Sequence, residues 1–188
     1  MIDFYKGSIK PSFHLNGNIL ELNGNAGCLI LARKGTLLIA DDKKECILVS
    51  QSEIKANVEK ILNESHTGTM ATVKNDKPHS RYMTFFHDGL KLYTPTHKDA
   101  DKTEEIEKNP FTHILIGYEG DGFGDEYVEY QGKVSLNDTD DLKKKFWNDD
   151  MKLYFEGPDD PNYTILEIDP IGIRLMNKKG ESPKELDI

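Results

Sequence analysis

The sequence has few cysteines, no long apolar run and no excess of positive charge, and each lack excludes a class of protein. Only two cysteines, Cys28 and Cys46, occur among 188 residues, so neither a disulfide framework nor a cysteine metal site is indicated. Free thiols are expected, with a bridge between the two left open. No run reaches the roughly 18 apolar residues of a membrane helix, and no basic-then-apolar leader opens the chain. We therefore expect a cytoplasmic protein with no membrane partner.

The charge of the chain is acidic overall but uneven. The formal net charge is -9, whereas a nucleic-acid surface needs a basic footprint, so no nucleic-acid partner is expected. The stretch from Lys74 to Lys102 differs, because it carries six Lys or Arg against four Asp and no Glu. A mildly basic patch on an acidic protein suits a small anionic ligand better than a polymer.

Patterning divides the chain into three parts. Residues 1–49 alternate short apolar runs with turn-formers such as Asn16-Gly17 and Asn23-Gly24, which predicts several short antiparallel strands in a β-rich N-terminal extension. No function is assigned to this extension. Residues 50–176 form the main domain, and residues 177–188 are predicted to be a polar C-terminal tail.

The main domain combines hairpin-length links with a few helices. Ser50 to Glu53 forms a capping box before apolar residues at helical spacing, which predicts an amphipathic helix over residues 51–64. Further helices are predicted from Lys102 to Asn109 and over residues 138–147. Strands are predicted over residues 68–74, 79–87, 90–94, 111–118 (buried on both faces), 127–136, 163–169 and 171–176, with a break at Pro170. About six strands with short links indicate an antiparallel barrel with helices outside it, an α+β arrangement.

One predicted hairpin carries the candidate site. Asp88-Gly89 lies between apolar runs and predicts a two-residue turn. With that turn, Met83 faces Thr94 and Arg81 faces Thr96, so the guanidinium lies beside two hydroxyl groups.

The helix that follows the hairpin adds a second positive group. A capping box from Asp101 to Glu104 puts Lys102 at the first helical position, close to the positive end of the helix. A guanidinium, hydroxyls, an ammonium and a helix N-terminus together favour a phosphate group. The alternative is ordinary surface charge, which is the usual role of a strand-end Arg and a helix-start Lys.

Several motifs follow one another in a characteristic order over residues 49–176. The first are Gly68-Thr-Met-Ala-Thr, Pro78-His-Ser-Arg-Tyr-Met, Leu92-Tyr-Thr, Lys102 and Asn109-Pro110. The later ones are Phe146-Trp147, Tyr154-Phe-Glu-Gly-Pro-Asp-Asp-Pro161 and Leu166-Glu-Ile-Asp-Pro170. The first set resembles the flavin-binding split-barrel proteins related to pyridoxamine 5'-phosphate oxidase, and the later set resembles the general stress protein branch of that family.

The resemblance implies a fold, a cofactor and a partner. The fold would be a mainly antiparallel six-stranded split β-barrel with flanking helices, and the protein would be a homodimer that binds FMN at the subunit interface. Arg81 and Lys102, helped by Thr94 and Thr96, would hold the phosphate. Tyr82, Met83 and Thr84 would lie along the isoalloxazine, and Trp147 and Tyr154 would approach it from the other subunit.

Two functions follow from this resemblance. The first is a flavin-dependent oxidoreductase of unknown substrate, with a nicotinamide donor or another small molecule as partner. The second is a non-catalytic flavin-binding or sensing stress protein. A third, weaker hypothesis is that the protein binds another planar ligand, such as haem or a deazaflavin. The chain lacks the C-terminal Arg-Leu-x-Pro ending of true pyridoxamine phosphate oxidases, which argues against vitamin B6 oxidation. No catalytic residue is assigned; His79, His87, His97 and His113 are candidates by residue type only.

Overall fold

The structure is a computed structural model that describes residues 12–16, 19–23, 28–33, 36–41, 44–47, 51–120, 125–176 and 181–188, the first five segments as backbone only. The chain forms two compact units, Met1–Glu53 and Ile54–Ile188. None of the described helices is long and apolar enough to cross a membrane. The division into residues 1–49, 50–176 and 177–188 that the sequence suggested remains a prediction.

The first unit contains short antiparallel strands, as predicted. Strands β1 (Ser12–Asn16) and β2 (Ile19–Asn23) form one pair. Strands β3 (Cys28–Arg33), β4 (Thr36–Asp41) and β5 (Lys44–Ile47) form a sheet in that order.

The strand order of the first unit bears on the two cysteines. Cys28 belongs to β3 and Cys46 to β5, and β4 lies between these strands. Two strand spacings amount to about 9.6 Å, whereas the Cα atoms of disulfide-bonded cysteines lie within about 7 Å of each other. The backbone arrangement therefore excludes the bridge that the sequence left open.

The second unit is built on one curled antiparallel sheet. Its helices are α1 (Gln51–Glu64), α2 (Asp101–Lys108) and α3 (Asp140–Lys145), with a 3-10 helix over Asp149–Leu153. Its strands are β6 (Thr67–Lys74), β7 (Lys77–Thr84), β8 (Phe86–Asp88), β9 (Lys91–His97), β10 (Phe111–Ile116), β11 (Tyr127–Asn137), β12 (Tyr163–Met176) and β13 (Lys184–Leu186). The order is β7-β6-β10-β11-β12-β9-β8, with β13 on β12.

The predicted α+β class and split barrel are confirmed. Strand β7, at one end of the sheet, also lies near β9, close to the other end, so the sheet curls towards a barrel. The described sheet has eight strands where about six were predicted, partly because β13 forms where the sequence indicated only a polar tail. Helix α1 has the predicted bounds, since Ile54, Val58 and Leu62 repeat every fourth residue and are buried. Ser50 of its predicted capping box lies outside the described residues.

The core occupies the inside of the sheet, and a second apolar cluster packs under the 3-10 helix. Residues such as Met70, Ile114 and Ile168 are fully buried inside the sheet. Tyr93, Phe146, Met151, Tyr163 and Ile165 form the second cluster.

Strand β10 does not have the burial predicted for it. The expectation that both of its faces are buried was wrong, because Phe111 is 58% exposed and Leu115 is also exposed. One face of the strand lines the core and the other is open in the single chain, as is common for antiparallel sheets.

The predicted hairpin register was wrong. The structure pairs Asp88 with Lys91 and Phe86 with Tyr93, so the two turn residues are Gly89 and Leu90. Gly89 adopts φ +60°, a conformation that glycine reaches without a steric penalty.

Strand β7 also has a different partner from the one predicted. It pairs with β6, so Arg81 lies opposite Met70, while Thr96 on β9 lies opposite Thr164 on β12. The β7 segment ends before Phe85, whose backbone N–H donates to the carbonyl of His66, and this separates β7 from β8. Arg81 therefore does not face Thr96 across a ladder.

Pro170 does not break the last long strand. Strand β12 is continuous, and its register with β11 shifts between Gln131 and Gly132, which leaves Ile171 as an extra residue. Such a β-bulge accommodates a residue with no N–H to donate. The predicted break at Pro170 is therefore a bulge within one strand.

Candidate functional site

A cavity of about 540 Å³ lies between the end of β7, the end of β9, the start of α2 and the 3-10 helix. Six of the nine predicted site residues line it, although the hairpin register that put Arg81 beside Thr96 was wrong. They are Tyr82, Met83, Thr84, Thr96, Lys102 and Tyr154. The curl of the sheet brings β7 and β9 to opposite sides of one space, and this replaces the direct pairing that the sequence suggested.

Lys102 supplies the positive charge of the cavity. It is the second residue of α2 and has no hydrogen bond or ion pair with another described residue. Burial lowers the pKa of its ammonium, and the neighbouring Arg81 guanidinium lowers it further, although Glu105 and Asp101 act in the opposite direction. Two cations held together with partial loss of water are unfavourable unless an anion joins them.

The predicted capping box at the start of α2 was wrong. Ala100 is the N-cap residue and makes no side-chain capping bond. The carboxylate of Asp101 instead accepts a hydrogen bond from Lys74 Nζ at 2.6 Å. Asp101 is therefore used to hold α2 against β6, and the first turn of the helix has no side-chain cap.

Arg81 lies beside the cavity and is held by a buried network. Its Nη2 donates to Glu105 Oε2 at 2.7 Å, and its Nη1 donates to Thr72 Oγ1 at 2.5 Å. The Thr72 hydroxyl in turn donates to Glu105, and His79 Nδ1 lies 2.8 Å from Glu105 Oε1. Burial on its own would raise the pKa of Glu105, but hydrogen bonds from Thr72, His79 and Arg81 lower it to about 2. Glu105 is thus ionised at neutral pH and fixes the guanidinium.

The two predicted threonines occupy different environments. The hydroxyl of Thr96 lines the cavity and makes only a 3.5 Å contact with the carbonyl of His97. The hydroxyl of Thr94 is buried and has no hydrogen-bond partner among the described residues, which is costly for a buried polar group. The Thr96 hydroxyl is therefore available to a ligand in the cavity, whereas the unpaired Thr94 hydroxyl lies outside the lining.

This donor set fits a flat ligand with an anionic end. Lys102, whose ammonium makes no ion pair with a described residue, and Thr96, whose hydroxyl is underused, line the cavity. The fixed Arg81 guanidinium lies next to Lys102, outside the lining. Tyr82, Met83 and Tyr154 contribute apolar surface elsewhere in the lining. Cavities that are mainly apolar with a few directed polar groups are typical ligand sites.

Comparison with known proteins identifies the family. Residues 54–177 match the sequence profile of the family described as Pyridoxamine 5'-phosphate oxidase. The chain belongs to this family. It is 51% identical over 140 residues to general stress protein 26 of Bacillus subtilis (strain 168), covering 74% of this chain and 100% of the relative.

Solved structures of the pyridoxamine 5'-phosphate oxidase family have the same fold. The crystal structure of general stress protein 26 from Bacillus anthracis str. Sterne has a TM-score of 0.63 at 36% identity, covering 70% of this chain and 98% of that one. An FMN-binding, pyridoxamine 5'-phosphate oxidase-related protein of Nostoc punctiforme has a TM-score of 0.52 at 17% identity, covering 69% and 85% of the two chains.

The two aromatic residues predicted to cover the ring are separated. Trp147 packs edge-on against Tyr163, with ring centroids 5.5 Å apart, as part of the second apolar cluster. Tyr154 lines the cavity of its own chain and is 77% exposed. The approach of both residues from a partner subunit, which membership of the pyridoxamine 5'-phosphate oxidase family suggested, stays a prediction.

The Gly157-Pro-Asp-Asp-Pro161 motif shapes the wall beside Tyr154. The carboxylate of Asp160 accepts hydrogen bonds from the backbone N–H groups of Glu156 and Asn162 at 3.0 and 2.8 Å. The buried Lys143 donates to the carbonyl of Asp160 at 3.0 Å and so ties the loop to α3. The motif closes the loop that follows Tyr154 and therefore has a structural role at this cavity.

Sequence reasoning missed Thr72 and Glu105, and it named His79 only as a candidate by residue type. A usable signal was present, because the turn at Asn75 and Asp76, both with positive φ, pairs Thr72 with His79 and places Arg81 on the same face. Asn and Asp are the residues that most readily adopt this conformation after glycine.

Proposed function

We propose that this chain binds FMN in the 540 Å³ cavity, with the phosphate next to Lys102. The observation that carries the proposal is the half-buried Lys102 ammonium, which makes no ion pair or hydrogen bond with a described residue and lies beside a fixed guanidinium. A phosphate would relieve the repulsion between the two cations and bond both of them. The FMN-binding Nostoc punctiforme relative supports the choice of this anion.

The described residues suggest a role for each part of the cavity. Lys102 and Arg81 would hold the phosphate, with Thr94 and Thr96 as hydroxyl partners. Strand β7 ends the hydrogen-bonded order of the described sheet, so the backbone of Tyr82, Met83 and Thr84 has one edge available for the polar side of an isoalloxazine. Tyr154 would exclude water from the ring, and Trp147 would support this wall.

A homodimer is part of the proposal. Tyr82 is 81% exposed in the single chain, and Tyr154 is also largely exposed. Exposed aromatic groups around a cavity favour an interface, and a second copy would bury them and enclose the flavin. Residues 50–176 would form this binding unit, and its location is expected to be cytoplasmic.

We further propose a flavin-dependent oxidoreductase of unknown substrate. Bound FMN supplies hydride or electron transfer, and the chain supplies binding, orientation and exclusion of water. Among the candidate histidines, His79 and His113 are held by buried carboxylates, and only His97 lines the cavity. Even His97 stacks on Phe155 and accepts the N–H of Asp99, so no acid or base is assigned.

The deciding experiment is the absorption spectrum of the purified full-length protein before and after addition of FMN. We expect saturable binding and a flavin band near roughly 450 nm, a property of the cofactor itself. Bleaching of this band by NADPH and its return with an oxidising substrate would support the oxidoreductase. Bound flavin that no nicotinamide reduces would favour the non-catalytic flavin-binding protein. A protein that takes up no FMN contradicts the proposal as a whole.

A further inference from the structure

We infer that Glu105 is a positioning residue that fixes the Arg81 guanidinium at the phosphate end of the cavity. The inference rests on the proposed FMN site and adds a residue that does not line it. Glu105 belongs to α2, one turn after Lys102, whereas Arg81 belongs to β7. Their ion pair therefore joins the two elements that border the anion end of the cavity.

The geometry leaves Arg81 little freedom. Glu105 is 4% exposed and accepts from Arg81 Nη2, while Thr72 accepts from Arg81 Nη1. Because Thr72 also donates to Glu105, the guanidinium, the hydroxyl and the carboxylate close a ring of hydrogen bonds. Charge-assisted bonds of this kind are about twice as strong as neutral ones and fix direction as well as distance.

The charge of Glu105 explains why two cations can lie together. The Lys102 ammonium and the Arg81 guanidinium repel each other, and each would be better solvated apart. The buried carboxylate of Glu105 holds Arg81 in place against that repulsion. Without it, the guanidinium is expected to turn towards water, and ligand binding would then have to order the side chain again.

The test is the variant Glu105→Gln in the full-length protein, with FMN and riboflavin titrated separately. Riboflavin lacks the phosphate, so a residue that positions a phosphate ligand affects FMN alone. We expect FMN affinity to fall about tenfold, the loss typical of a charge-assisted hydrogen bond, and riboflavin affinity to stay unchanged. Glu107→Gln, an exposed carboxylate on the same helix, is the matched control and should leave both affinities unchanged.

A double-mutant cycle shows whether Glu105 acts through Arg81. In the background of Arg81→Gln, the change Glu105→Gln should cause no further loss of FMN affinity. The double variant also leaves neither charge buried alone, so it keeps the comparison measurable if a single variant unfolds. Independent, multiplying effects would show that Glu105 acts through the general structure, and unchanged or tighter FMN binding by Glu105→Gln would also overturn the inference.

The position of Arg81 is measurable without any ligand. NMR of the arginine side chains should show slow exchange of the Arg81 Nη hydrogens in the original protein and fast exchange in Glu105→Gln. Equal exchange in both proteins would contradict the inference. Failure of the original protein to bind FMN, with this difference in exchange present, would instead contradict the proposed function and leave the positioning role supported.

Discussion

Glu105 and Glu129 are two buried carboxylates with nearly the same partners. Glu105 is bonded by Arg81 and His79, and Glu129 is bonded by Arg174, through Nη2 at 2.5 and 2.7 Å, and by His113 Nε2 at 2.9 Å. Hydrogen bonds keep the pKa of both carboxyls below the ordinary value although burial would raise it. Residue types alone would not separate the two groups.

The two groups differ in how their cations are paired. Near Glu105, the cations Arg81, Lys102 and Lys74 lie among three carboxylates, since Asp101 and Glu104 also interact with Lys74. Arg81 and Lys74 form ion pairs, whereas Lys102 forms none with a described residue. Near Glu129, the guanidinium of Arg174 interacts with two carboxylates, since Glu185 is also close to it. An Arg–Glu–His cluster is therefore a way to bury charge, and only the unpaired Lys102 beside one of them indicates a ligand.

The largest expected difference between the groups is in stability. Arg81→Ala leaves the nearly inaccessible Glu105 without its closest cation, with Lys74 Nζ 3.9 Å away, and we expect a loss of about 3–5 kcal/mol. Arg174→Ala should cost about 1–3 kcal/mol. The Arg174 side chain is more exposed than that of Arg81, so water can replace some of the hydrogen bonds that Glu129 loses. Urea unfolding of both variants measures the difference. Equal losses would mean that the two carboxylates are buried to the same effective degree.

The ionised carboxylate of Glu105 should also make the stability of the protein depend on pH in the acid range. Glu105 has a folded pKa of about 2 against an unfolded value of 4.5, so its contribution is fully present above about pH 4.5 and is lost as the pH falls through about 2. A shift of this size corresponds to about 3 kcal/mol. We expect the stability difference between the original protein and Glu105→Gln to shrink over this window, as followed by urea unfolding at stepped pH. A difference that does not vary with pH would mean that Glu105 is not ionised in the folded state.

Removal of the unpaired Lys102 ammonium should change FMN binding more than it changes the stability of the protein. Lys102→Ala is expected to weaken FMN by about 1.5–3 kcal/mol, the range for a charge-assisted contact, and to leave riboflavin affinity unchanged. Lys184→Ala, on β13 and paired with Glu181, is the matched control and should affect neither ligand. Calorimetric titration measures all four affinities. An unaltered FMN affinity in Lys102→Ala would place the phosphate elsewhere.

The smallest effect concerns two buried threonines. Thr112 Oγ1 donates to the carbonyl of Ala71 at 2.7 Å, whereas the Thr94 hydroxyl has no partner in the described part of the chain. Thr94→Val should therefore stabilise the ligand-free protein by about 1 kcal/mol and weaken FMN slightly, and Thr112→Val should destabilise it by about 1 kcal/mol without affecting FMN. Thermal unfolding of each variant with and without FMN separates the effect on stability from the effect on FMN binding. Destabilisation by both variants would reveal a partner for Thr94.

The sequence predicted local structure well where the signal was local. The bounds of α1 follow from apolar residues at helical spacing, and the six cavity residues were among those that the family resemblance implied. Strand partners were harder to predict, because β7 could pair with β6 before it or with the strand after it, and both hairpins have plausible turns. The choice depends on the interruption of the strand at Phe85. The backbone N–H of Phe85 donates a hydrogen bond to the carbonyl of His66, which is distant in sequence.

The charged network could not be predicted for a related reason. Glu105 and Lys102 were visible as neighbours on one helix, but their relation to Arg81 depends on how α2 packs against β6. The same holds for Trp147, whose ring packs against a cluster formed by residues of β9, the 3-10 helix and β12 together with Phe146. Contacts between elements distant in sequence follow from the packing of the whole domain, which one sequence pattern does not encode.

The double attachment of Arg81 has a consequence for comparing relatives. A descendant that no longer used a cofactor would still lose stability on replacing this arginine, since Glu105 would lose its closest counter-ion. Lys102 forms no ion pair with a described residue, so its replacement would cost little stability in a protein that no longer binds the ligand. Within this family, the lysine is therefore the more informative position for deciding which members still carry a flavin.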